Sequence, residues 1–174
     1  MEHKKQQAVA IENAHKVIND IAKEYAALTG REYHMIEEYM MEDAEYAIVI
    51  IGSSAGTAKE ACRVLRAKGI KVGVIKIRVF RPFPAKEIAE ALKNVKAVAL
   101  MDKVDSFSNC GGPLGAEVRA AMYGHCDALA VNYVYGLGGR DVRVESIVSV
   151  YDKLQELVAN GEEPEAYYYL DCRE

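Results

Sequence analysis

With 174 residues, 51% of them hydrophobic and 28% charged, the chain has the size and composition of one globular domain with a sizeable core. Its formal net charge is −4 and its Lys and Arg residues are dispersed, so nothing draws it to nucleic acid or to an acidic membrane surface. No apolar run approaches the roughly 20 residues a bilayer requires, MEHKKQQ lacks a signal core, and four scattered cysteines without a CxxC pair read as reduced thiols of a cytoplasmic protein.

In chain order, Glu2 to Thr29 places Val9, Ile11, Ala14, Ile18, Ile21, Tyr25 and Leu28 at three-and-four spacing, which predicts one amphipathic helix closed by Gly30. Its length suits a connecting helix, so residues 1–30 separate from an α/β domain over 31–174. Tyr33 to Met41 is a candidate edge strand, although Glu37 and Glu38 interrupt its alternation. Ala47 to Ile51 is an unbroken apolar run rich in β-branched residues, and it reads as a central strand covered on both faces. The turn GSSAGT follows, leading into a helix with Ala58, Ala61, Cys62 and Leu65 inward.

Lys71 to Phe80 is a second strand stopped by RPFP, where Pro84 suits the start of a helix over Ala85 to Asn94. Ala97 to Met101 is a third strand, Asp102 to Gly112 a loop, and Pro113 opens a helix through Ala121. Ala128 to Tyr135 is a fourth parallel strand, followed by GLGGRDV and a helix from Val144 to Ala159. The tail EEPEAYYYLDCRE has no period, and its adjacent tyrosines are suited to packing on the domain or on a neighbour. Such alternation of strand and helix predicts a three-layer α/β/α domain with a mainly parallel sheet and right-handed crossovers.

Few residues carry reactive chemistry. Gly52, Ser53, Ser54 and Thr57 form the turn at the carboxyl end of the central strand, where α/β folds bind ligands. They could cradle a phosphate or carboxylate, or they could merely cap a helix; the pattern is neither GxGxxG nor a Walker loop. Arg140, in its glycine-rich turn, is either an anion clamp or a locally paired side chain. Cys110 precedes a helix N-terminus without a second cysteine or a base beside it, so it reads as an inert thiol. Asp102 and Asp105 sit where acid–base residues are often found, but nothing in the sequence pairs them, and no histidine spacing supports a metal.

EDAEYAIVIIGSSAGTAKEA, IKVGVIKIRVFRPFPAKEI, the SF…GGPL segment and YGLGGRDV, in this order, resemble the α subunit of pyruvate:ferredoxin oxidoreductase over nearly the whole chain. The resemblance implies the subunit's C-terminal domain, similar to the transketolase C-terminal domain, with a five-stranded sheet whose first strand runs antiparallel. It implies a place in oxidative decarboxylation of pyruvate by CoA and ferredoxin, with a structural and assembly role for this piece and little activity of the chain by itself. Thiamine diphosphate, Mg2+ and iron–sulfur clusters are expected on other domains and subunits, and none on this chain. The pyruvate-contacting domain is expected before Met1. Partners are then the remaining domains and subunits of the complex, with ferredoxin and CoA met indirectly and a homodimer left open. Another 2-oxoacid:ferredoxin oxidoreductase, or a free-standing anion- or nucleotide-binding module, are the alternatives.

Overall fold

The computed structural model describes residues 1–173. In chain order the elements are α1 (Glu2–Thr29), β1 (Ile36–Tyr39), β2 (Tyr46–Ile51), α2 (Ser54–Arg66), β3 (Val72–Ile77), α3 (Ala85–Leu92), β4 (Ala97–Asp102), α4 (Pro113–Met122), β5 (Leu129–Val134), α5 (Val144–Asn160) and β6 (Tyr168–Tyr169). The sheet runs β1-β3-β2-β4-β5-β6, with β1 antiparallel to β3 and every other pairing parallel.

Because successive strand residues face opposite ways, the continuous apolar run of β2 serves two cores at once. Ile48 and Ile50 join Ala58, Cys62 and Leu65 of α2 and Ile147, Tyr151 and Leu154 of α5 on one side. Ala47 and Val49 join Ile88 and Leu92 of α3 and Leu114 and Val118 of α4 on the other. The predicted three layers and the four inward residues of α2 are therefore as expected, all four being at most 1% exposed.

The sheet has six strands where five were expected, because the tail lays Tyr168 and Tyr169 beside Tyr133 and Val134 of β5. Tyr168 stacks on Tyr133 with ring centroids 5.4 Å apart, and Leu170 N donates to Val134 O. Two residues are too few to display a period, which is why the pattern was silent there. The helix α1 forms over its predicted span. It ends on Gly30 in the left-handed conformation as expected, yet none of its residues is buried. Its half-buried side carries Ala14, His15, Ile18, Asn19, Ala22 and Ala26, while Ile21 and Leu28 of the apolar stripe are 58% and 86% exposed.

The edge strand is shorter than its predicted span. Glu37, which seemed to break the alternation, pairs with Lys59 of α2 and with Arg78, the latter at 2.6 Å.

Candidate functional site

The chain leaves β2 for β3 on one side and returns from β3 to β4 on the other, so β2 and β4 flank a topological switch point. The crevice outside their carboxyl ends is where this architecture binds ligands. Here it is a space of about 250 Å3 lined by Ile51, Phe80, Val104, Pro113, Leu114 and Tyr135, with Asp102 at its floor.

Asp102 is the buried carboxylate at the end of β4, only 2% exposed. Its Oδ1 accepts the amide of Leu114 at 2.9 Å, and its Oδ2 accepts Gly115 N and Asn132 Nδ2, both at 2.8 Å. Asn132, fully buried on β5, also donates to Leu100 O at 2.7 Å and accepts Gly112 N at 2.8 Å. The first amides of a helix have no partner inside it. Pro113 has none to offer, Gly112 has no side chain to cap with, and the two strands supply the missing acceptors. A carboxylate at this end also complements the helix dipole. Asp102 is thus a long-range cap of α4, and Asn132 is the partner that the sequence left unidentified.

The glycines of this segment follow from the same contact. A Cβ on Gly112 would lie 2.1 Å from Asp102 Cγ, and one on Gly115 would lie 2.6 Å from Asn132 Nδ2. Gly111, with φ +87°, has the Asn132 amide oxygen where its own Cβ would stand.

The predicted site residues fall in two places, the turn from Gly52 to Thr57 and the groove of Arg140. Gly52 turns with φ +82° and has open space around it. Ser53 is exposed and, contrary to expectation, makes no capping hydrogen bond to α2. Ser54 and Thr57 are half-buried in the first turn of α2. Burial pushes the Tyr135 phenol up, a shift that its hydrogen bond with Ser54 partly offsets. Arg140 is exposed and lines a separate groove with Asp141, Arg143 and Asp171. Gly52, Ser53, Ser54 and Thr57 thus form one turn, and Arg140 stands apart from it in its own groove.

Beside the crevice, Asp105 accepts Phe107 N at 2.9 Å and the Tyr169 hydroxyl, and these bonds hold its carboxyl below the usual carboxylate range. Arg119 of α4 ties the neighbouring segment down by donating to Cys110 O and Ala166 O, both at 2.9 Å. Asn132 and Arg119 went unremarked in the sequence. A lone asparagine inside an apolar strand was the available signal for the first.

Residues 44–147 match the family model described as pyruvate:ferredoxin oxidoreductase core domain II. The chain belongs to this family.

Among curated relatives, pyruvate synthase subunit PorA of Thermotoga maritima is 43% identical over 152 residues, covering 87% of this chain and 38% of that protein. Ketoisovalerate oxidoreductase subunit VorA of Pyrococcus abyssi is 38% identical over 156 residues, covering 88% of this chain and 39% of its own length. The chain thus spans about two fifths of these relatives. A solved 2-oxoglutarate:ferredoxin oxidoreductase from Magnetococcus marinus superposes with a TM-score of 0.56 at 22% identity, over 76% of this chain and 21% of that one. A split-gene transketolase does so at 0.54 and 21% identity, over 73% and 44%. Both are likenesses of fold alone, and that fold is transketolase-like.

Within the family domain, the side chains fit neither group that the resemblance associates with the complex. Cys62 is buried, Cys110 and Cys172 are exposed, and no three His, Cys, Asp or Glu side chains converge among the described residues, so no iron–sulfur ligand set exists there. Thiamine diphosphate with Mg2+ needs free oxygen ligands. The crevice offers apolar walls and an Asp102 whose oxygens are already engaged.

Proposed function

We propose that this chain is the C-terminal, transketolase-like domain of the α subunit of a 2-oxoacid:ferredoxin oxidoreductase, with pyruvate as the first candidate substrate. In the complete enzyme, pyruvate, CoA and oxidised ferredoxin would give acetyl-CoA, carbon dioxide and reduced ferredoxin. This domain would contribute structure and subunit assembly, while thiamine diphosphate, Mg2+ and the iron–sulfur clusters reside on other domains. The observation that carries the reading is the Asp102–Asn132 network. The most deeply placed polar groups at the expected binding edge are engaged in holding β4, β5 and α4 together, which leaves an apolar rim suited to another polypeptide. In the same reading α1 is the connecting helix of residues 1–30, and its exposed stripe is covered in the assembled subunit.

The similarity to a ketoisovalerate oxidoreductase subunit supports one alternative, the same domain in an enzyme for branched 2-oxoacids. Substrate choice would then reside in the polypeptide beyond this domain. Reconstitution decides the main reading: ferredoxin reduction from pyruvate and CoA should require this chain together with the other subunits, and the chain by itself should give none. Calorimetry with CoA, thiamine diphosphate or ATP should show no tight binding. A submicromolar Kd for any of them, with Gly52, Ser53, Ser54 and Thr57 or Arg140 needed for it, would replace the assembly role with a ligand-binding one.

A further inference from the structure

Phe107 is 89% exposed at the tip of the loop after β4, and its φ of +53° lies in the left-handed region. A bulky L residue is strained in that conformation, and an exposed ring returns nothing to the isolated fold. The conformation is nevertheless fastened. Asp105 accepts the Phe107 amide, Tyr169 anchors Asp105 from the far edge of the sheet, and Ser106 Oγ donates to Gly111 O. The loop that carries this ring leaves through Val104 and returns through Pro113, both of which line the 250 Å3 crevice together with Ile51, and Val104 and Ile51 are 43% and 39% exposed. Lys103 lines the same crevice and adds a positive charge at its mouth. An aromatic anchor, an adjacent apolar socket and a charged rim are the parts of an interface centre.

We propose that this edge, with Phe107 as its anchor and the crevice as its socket, is the face on which the domain docks to the remaining polypeptide of the oxidoreductase subunit. The inference rests on the assembly role proposed above and adds the location and chemistry of the contact. The occupant is an apolar side chain flanked by a carboxylate: the first fills the crevice, the second meets Lys103. The larger part of each curated relative lies beyond the region matched here, so in those proteins the matched region has a substantial neighbour for such a face to meet.

The test places the photo-reactive residue p-benzoylphenylalanine at position 107 in the tagged chain, expressed in its source cell with the other oxidoreductase polypeptides, and maps the adduct by mass spectrometry. The expected adduct joins position 107 to an oxidoreductase segment outside the sequence matched here, with Asp or Glu next to an apolar side chain. Phe107→Ser should weaken recovery of that polypeptide at least tenfold while leaving the Tm of the 174-residue chain unchanged. Cross-linking to a second copy of this chain or to an unrelated protein, an absent adduct, or undiminished recovery by the Phe107→Ser chain would each overturn the proposal. If the tagged chain still recovers oxidoreductase polypeptides that position 107 does not touch, the assembly role stands and this face is wrong. If it recovers none, both fall.

Discussion

Asn132 Nδ2 donates to Asp102 Oδ2 at 2.8 Å between neighbouring strands, and the two side chains, 0% and 2% exposed, organise the carboxyl edge of the sheet. Asp102→Ala strands Leu114 N, Gly115 N and Asn132 Nδ2 in a buried site. Unpaired buried donors cost about 1–3 kcal/mol each in full, less with relaxation, so a loss of about 3 kcal/mol is expected in urea unfolding. Asp102→Asn should cost about 1–3 kcal/mol, because one acceptor oxygen then faces three donors.

The glycines of the network and of the first turn should respond in opposite directions. Gly112→Ala forces a methyl against the Asp102 carboxyl carbon and should destabilise by about 1–3 kcal/mol. Gly56→Ala, in α2 with nothing within 4 Å of the added carbon, should stabilise by about 0.5–1 kcal/mol. Thermal melts of the two variants check both signs.

Tyr151 couples the α5 layer to the sheet by donating its buried hydroxyl to Gly73 O at 2.8 Å. Complete burial pushes its phenol well above the ordinary range, so it stays a neutral donor throughout the working pH range. Tyr151→Phe preserves the packing and leaves that acceptor without its side-chain donor. A loss of about 1–2 kcal/mol is expected in urea unfolding.

Glu37 should give stability an acid limb. Its hydrogen bond with Lys59, helped by Arg78 and opposed by burial, holds its carboxyl below the ordinary value of 4.5. A lowered folded-state pKa means the contribution is complete above 4.5 and is lost as pH falls through the lowered value. The urea midpoint should therefore drop below about pH 4.5, and Glu37→Gln should flatten part of that drop at a cost of about 1 kcal/mol near neutrality. An unchanged acid limb in the variant would show that other carboxylates dominate it.

Thiol accessibility gives an independent check of the packing. Cys110 and Cys172 are exposed whereas Cys62 is fully buried, and burial raises the Cys62 thiol above its ordinary value. Ellman's reagent should modify Cys110 and Cys172 quickly and Cys62 only on unfolding.

The order of strands and helices was legible because each carries its own local signal. The β-branched run of Ala47 to Ile51, the glycine turns and the periodic apolar faces of α2 and α5 need no long-range information. The Asp102–Asn132 pair was not legible, since its members lie 30 positions apart and meet only through the β4–β5 register. The same contact explains why Gly111, Gly112 and Gly115 lack side chains, a requirement no local pattern could state. The stripe on α1 shows the opposite limit: periodicity identified the helix and its apolar residues, but not whether the domain itself would cover them.

The sequence by itself determined the alternating α/β scaffold, its closing glycines and its family resemblance, because propensity and periodicity act within a few residues. The tertiary structure alone decided that Asp102 caps α4, that the tail adds β6, and that Phe107 stands fastened beside an apolar crevice. Those outcomes depend on strand register and on the space left between elements, which exist only once distant segments have packed.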